Sequence, residues 1–218
     1  MTITKRITYS TEGFDFTLEP IEDSIKIKKT KKGYDIRYLT PDNDPDSPRN
    51  WDNLGKMICF HNRYSLGDKH DYTDNEDFVL SLAVELNLIS SKDNLGNYTA
   101  QELVEEIERK AVILPLYLYD HSGISMRTYR HGQHASWDCG QVGYIYITKE
   151  QLKNEKLTKK RAEKVLIGEV ETYNQYLTGD TYTIVKETYD KNKEQINYDC
   201  IGGFYGYEDS LKALETEI

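Results

Sequence analysis

The chain has no apolar run near the ~20 residues that span a bilayer, so a membrane partner is not expected. Cysteine is scarce: Cys59, Cys139 and Cys200 are widely spaced and odd in number. That usage excludes a disulfide framework and points to reduced thiols in a cytoplasm. The opening MTITKRITYSTEGFDF carries basic residues but no apolar core before a small-residue cleavage site. No signal peptide is expected there. Positive charge is in deficit, with 28 Lys and Arg against 37 Asp and Glu, a net charge of -9. A field of that sign repels phosphate backbones, which argues against direct binding of duplex nucleic acid. Ser-His-Asp order signatures, H-E-x-x-H and the Rossmann fingerprint are all missing.

What is present is enough for a core. Hydrophobic residues make up 38% of the 218, and 18 are tyrosines. A disordered chain lacks this aromatic content. The length suits a single domain, 1–218, with the N-terminal β-hairpin of 1–40 as a possible appendage. Acidity is concentrated in the middle. Residues 41–110 carry 7 basic and 15 acidic side chains, while residues 1–40 carry 8 and 6. Such a segment can serve solubility or attract a basic partner.

Periodicity places the elements. SIKIKK and GYDIRYL alternate as two strands of a hairpin around TKKG, with Tyr34, Ile36 and Tyr38 on one face. TPDNDPDSPRN, with three prolines, is a loop. MICF reads as a short buried strand. Val79, Leu82, Ala83 and Leu86 fall at helical spacing after Asn75 or Glu76. A second helix opens at Thr99 with Glu102 in a capping-box position, its inner stripe being Leu103, Val104, Ile107 and Ala111. AVILPLYLYD is the most apolar strand, and Pro115 within it signals an edge, a bulge or a late start. QVGYIYITKE follows, alternating Tyr144 and Tyr146 with Ile145 and Ile147. The longest helix runs over about 158–178 on Ala162, Leu166, Val170, Tyr173 and Leu177, and Gly179 ends it. TYTIVKETY and INYDCIG form a hairpin, and a short helix with Leu211, Leu214 and Ile218 closes the chain. The fold class is therefore α+β, a mostly antiparallel sheet with one long and two shorter helices packed on it. The expected core centres on Leu114, Leu116, Leu118, Ile145, Ile147, Leu166, Val170 and Ile184.

Several clusters could carry chemistry. His131, His134 and Cys139 offer borderline-soft ligands, but the paired C-x-x-C knuckles of zinc ribbons are missing, so no metal is assigned. Cys139 next to a histidine-rich stretch invites a thiol nucleophile. Its neighbour Asp138 would raise rather than lower its pKa, which favours a small residue at a strand entrance. YDHSG, residues 119–123, places Asp120 and His121 at a strand end as an acid–base pair or as an Asx-turn with Gly123 at positive φ. Asp138 and Gln141 border the same corner. Asp42, Asp44 and Asp46 alternate as in the first half of a calcium loop, but Ser47 replaces the turn glycine and Asn53 the final Glu. SKDNLGNYTAQE is another half-match, with Leu95 at a ligand position. CIGGFYG lacks the P-loop lysine, and Glu208 and Asp209 already fill the following helix's positive end, so Gly202 and Gly203 read as a tight bend. No cofactor is expected.

Five segments together carry a resemblance: SPRNWDNLGKMICFHNRYSLGD (47–68), LPLYLYDHSG (114–123), WDCGQVGYIYITKEQL (137–152), EVETYNQYLTGDTYTIV (169–185) and CIGGFYG (200–206). The chain resembles, over about 40–206, a family of small accessory proteins carried by bacteriophages, plasmids and other mobile elements. Trp51, Trp137, Gly140, Gly202 and Gly203 are its structural motif residues here. The family motif often carries serine at the position of Cys139 and has no regular RHGQH insert, so the resemblance counts against a zinc or thiol mechanism. It implies a protein of the host-cell cytoplasm that counters a defence such as restriction or CRISPR by binding a host defence nucleoprotein or nuclease. Asp42, Asp44, Asp46, Asp68, Asp71, Asp74, Glu76 and Asp77 would supply the acidic interaction face. The alternative is a small hydrolase acting on a nucleotide or nucleic acid, with Asp120, His121, Asp138 and Gln141 at its site. A scaffolding role within the phage is a third possibility.

Overall fold

The structure, a computed structural model, describes residues 6–11, 14–21, 23–93, 98–130 and 138–216. In chain order its strands are β1 (Ile7–Thr11), β2 (Phe14–Leu18), β3 (Lys26–Lys29), β4 (Gly33–Pro41), β5 (Lys56–Cys59), β6 (Ala111–Asp120), β7 (Ile124–Arg127), β8 (Cys139–Thr148), β9 (Thr181–Asp190) and β10 (Gln195–Tyr205). Its helices are α1 (Asn75–Glu85), α2 (Ala100–Lys110), α3 (Lys149–Asn154), α4 (Lys159–Thr178) and α5 (Tyr207–Thr216). The class is α+β, and every paired strand is antiparallel. The strands are divided between two four-stranded sheets and one hairpin rather than gathered in one sheet. The chain forms two compact units, Met1–Ser47 with Gln175–Ile218, and Pro48–Asn174.

The first unit holds the sheet β10-β9-β4-β3 and the hairpin β1-β2. The hairpin expected as an appendage is built into this sheet, because β4 pairs with β9 from Gly33 opposite Asp190 to Pro41 opposite Tyr182. Side chains alternate across a strand, so each strand feeds two cores. Ile36, Tyr38 and Val185 face Phe16 and Leu18 of the β2 strand. Leu39, Ile184 and Tyr182 face Ile21 and Leu214 of α5. Ile184 therefore belongs to this core and not to the one centred on β6 and β8.

The second unit is built on the sheet β5-β8-β6-β7. One face meets α1 and α2: Ile58, Ile113 and Tyr146 contact a cluster with Phe78, Leu82, Leu103 and Ile107. Both helices are capped, α2 as expected and α1 by a residue the spacing did not single out. Asp74 accepts from the Asp77 N–H, and Thr99 and Glu102 form the complete capping box. The other face carries Met57, Val112, Leu116, Ile145 and Ile147, all buried. Here α4 comes so close that a Cβ on Gly55 would fall 2.2 Å from Leu166 Cδ2 and 2.9 Å from Ile145 Cγ1. Leu114, expected in the core, is only half-buried. It lies on the stretch of β6 that β7 does not flank, since β7 pairs only with Tyr117–Asp120. Pro115 occupies the same one-sided stretch, and a bulge follows between Leu116 and Tyr117, which is how a strand accommodates a residue without an N–H.

Candidate functional site

The two polar corners expected to meet do so. Antiparallel pairing sets Tyr119 opposite Cys139, and the Asp120 N–H donates to the Asp138 carbonyl at 2.9 Å. His121 Nδ1 lies 3.3 Å from Asp138 Oδ2, with both side chains largely open to solvent. The carboxylate beside the His121 imidazole is thus Asp138, not Asp120. The Asp120 carboxylate instead takes Arg63 Nη1 and the Tyr64 hydroxyl, each at 3.3 Å. The turn between β6 and β7 is closed by backbone, from His121 N–H to Gly123 O at 3.0 Å, with Ser122 at φ 57° and Gly123 at φ 146°. Gly123 takes positive φ as expected, but the Asx-turn does not form because the Asp120 side chain is committed elsewhere. Gln141 is exposed and donates to the Gly143 carbonyl on its own strand, so it does not join the corner. Cys139 is buried at its strand entrance. His131, His134 and Trp137 lie outside the described residues.

Beside this corner, within the same unit, lies a cleft of about 580 Å³ lined by His61, Tyr64, Lys69, His70, Asp71 and Cys59 among others. Hydrogen bonding assigns its imidazoles. His61 Nδ1 accepts from the Arg63 and Tyr64 N–H groups at 3.2 and 3.3 Å, which leaves its proton on Nε2. His70 Nε2 lies 3.0 Å from the Cys59 carbonyl, an acceptor only, so Nε2 carries the proton. Its Nδ1 is buried without a described partner. The Cys59 thiol is pushed up to about 12 by burial and by the Asp68 carboxylate, against the opposing pull of Arg49. A thiol held protonated is a poor nucleophile. Among the described residues, no three His, Cys, Asp or Glu side chains are placed to hold a metal ion.

Sequence reasoning missed Arg49 and Glu169, and gave their partner Asp68 only as part of an acidic face. The side chain of Arg49, in the SPRNWDNLG motif, is 4% exposed. Its Nε and Nη2 reach both oxygens of Asp68 at 2.8 and 2.9 Å, Nη1 reaches Glu169 at 3.1 Å, and Nη2 also donates to Gly55 O at 2.7 Å. Glu169 accepts the Leu54 and Gly55 N–H groups, and Asp68 accepts that of Met57. Burial alone would lower the Arg49 pKa, but the Asp68 and Glu169 contacts outweigh it and raise it. Two of the resemblance segments, 47–68 and 169–185, thus converge on one buried ion network. Two signals were in the sequence: a single arginine in an otherwise acidic loop, and Glu169 three residues from Leu166 on the apolar stripe of α4. Trp51, a motif residue, is itself exposed.

The eight acidic candidates separate by what they touch. Asp68 anchors Arg49. Asp74 caps α1, and Asp77 takes the Thr73 N–H at 3.0 Å and Lys92 Nζ at 2.5 Å. In the first unit, Asp42 Oδ2 accepts the Gly203 N–H at 2.8 Å, and Oδ1 accepts that of Asp44 at 3.2 Å. A Cβ on Gly202 would meet Asp42 Oδ2 at 2.7 Å, and Gly203 has φ +83°. The glycine pair therefore forms a bulge inside β10, closed by the Asp42 carboxylate, rather than a bend ending the strand. Gly140, by contrast, has open space where a Cβ would sit. Asp44, Asp46, Asp71 and Glu76 are exposed, and their side chains enter no hydrogen bond or ion pair among the described residues.

These features define an α+β protein with hydrogen-bonded acidic loops and a polar cleft in its second unit. Comparison with known proteins finds no match to any family model, curated protein or solved structure.

Proposed function

We propose that the chain is a counter-defence binding protein of the mobile-element type, which inhibits a host defence nucleoprotein or nuclease by contact through exposed carboxylates. One observation carries this reading. In the 68–77 segment, Asp68, Asp74 and Asp77 are spent on fixing the loop and helix start, while Asp71 and Glu76 are left exposed. Carboxylates held on a pre-ordered loop lose little entropy on binding a basic, phosphate-handling surface. The Asp71→Asn/Glu76→Gln variant should keep its circular dichroism and weaken binding to a CRISPR or restriction nuclease about tenfold. Wild-type binding should fall steeply with salt. Binding insensitive to salt, or no binding to any such enzyme, overturns the proposal.

A hydrolase acting on a nucleotide or nucleic acid is favoured by a different observation, the His121–Asp138 contact at 3.3 Å. It requires that His121→Ala keep the wild-type melting profile and abolish turnover of such a substrate. Unchanged turnover removes this reading.

A further inference from the structure

The two edges of the first unit's sheet are built differently. Edge strands expose unpaired N–H and C=O groups, and proteins blunt them by shortness, lysine, proline or bulges. The β3 edge has four residues, Lys26–Lys29, three of them lysine. The β10 edge has eleven residues, from Gln195 to Tyr205, and no proline or lysine. Its single charged residue is Asp199, and its only bulges lie near its ends, at Gln195/Asn197 and Ile201/Phe204. Along it Ile196, Tyr198 and Ile201 are 56%, 58% and 47% exposed. No described strand pairs beyond it.

The ends of the same sheet differ in charge. The β3–β4 and β9–β10 turns share one end, because Gly33 pairs with Asp190. That end displays exposed Lys29, Lys31, Lys32, Lys191 and Lys193, with Glu194 the only exposed acid among them. The opposite end holds the Asp42–Asp46 loop, fixed to Gly203 through Asp42 and to Tyr205 by that hydroxyl's bond to the Asp46 carbonyl. Asp44 and Asp46 are exposed there.

We propose that β10 is a self-association edge, on which a second copy of this chain adds its own β10 antiparallel to form a continuous eight-stranded sheet. Only an antiparallel copy brings the lysine end of each sheet beside the aspartate end of the other; a parallel partner would set like charges together. A two-fold axis normal to the sheet must pass through a residue, since directly opposed residues share a face. An axis at Asp199 would oppose two like charges. An axis at Tyr198 instead opposes Ile196 to Cys200 and Asn197 to Asp199, and sets Lys191 and Lys193 along the Gly203–Tyr205 end of the partner. This assignment is independent of the proposed function, which rests on Asp71 and Glu76 in the other unit.

Sedimentation equilibrium of the full chain tests it. The expected mass is twice 25.4 kDa. Ile196→Lys/Tyr198→Lys should raise the dimer dissociation constant about tenfold or more while leaving circular dichroism unchanged. Should that variant fail to fold, charge reversal decides. Asp44→Lys/Asp46→Lys and Lys191→Glu/Lys193→Glu should each self-associate about tenfold more weakly, and the two mixed should form a heterodimer of near wild-type affinity. A monomeric wild type, a dimer untouched by the β10 lysines, or no heterodimer on mixing overturns the proposal.

Discussion

Arg49 shows how one side chain can order a loop that propensity leaves free. Between Pro48 and β5 the chain forms a single 3-10 turn, Pro48–Asn50, and no other regular element. The guanidinium fork satisfies a bidentate carboxylate, a second carboxylate and a carbonyl at once, a geometry lysine cannot reproduce. Both acids are well shielded, at 21% and 12% side-chain exposure. Removing the cation leaves two carboxylates facing each other without it, and breaking a buried pair costs about 3–5 kcal/mol. Arg49→Ala should therefore lower the urea midpoint steeply, and Arg49→Lys should recover only part of the loss. A variant as stable as wild type would show that water replaces the guanidinium. Cys59 makes a complementary point: the burial that secures its packing also raises its thiol to about 12 and removes it from chemistry.

At the scale of elements, the legible parts were those where a local rule and the core agreed. The Thr99–Glu102 capping box, the stripe of α4 and the alternation of β8 all stand where spacing placed them. α3 was missed although Thr148 and Gln151 make the same capping box, because its six residues follow directly on an apolar strand. β7 was missed because four residues, ISMR, carry no readable period and exist only through pairing with β6. The start of α1 supplies a pH test. Lys92 and the Thr73 N–H hold the Asp77 carboxyl below the ordinary carboxylate value. A group whose folded pKa is depressed stabilises the fold above its unfolded value and loses that contribution as pH falls through the folded one. The stability gap between wild type and Asp77→Asn should thus be full at neutral pH and close on acidification below about pH 4. A gap that persists unchanged in acid would assign it to packing rather than charge.

At the scale of the whole molecule, the excess negative charge resolves into two populations with different work. Asp42, Asp68, Asp74 and Asp77 are internal fasteners, whereas Asp44, Asp46, Asp71 and Glu76 face solvent. Composition counts both alike, so the acidity of the middle segment overstated the charge left for a partner. The same holds for the corner at β6 and β8. The sequence placed Asp120, His121 and Asp138 near one another, and they do meet, through antiparallel pairing of β6 with β8 across the missed β7. Which carboxylate the imidazole meets was decided by Arg63 and Tyr64, which approach Asp120 from a loop more than fifty residues away.

The sequence by itself determined the class and the longer elements, because helix stripes, strand alternation and caps depend on residues within a few positions of one another. Tertiary structure alone decided that the chain divides into two units, that Ile184 and Leu166 serve different ones, and that Arg49, Asp68 and Glu169 join. Those outcomes depend on contacts between residues far apart in sequence, such as Arg49 with Glu169 and Leu39 with Ile184. No local period encodes such contacts; they form only when burial makes an unpaired charge or an exposed apolar face too costly to leave.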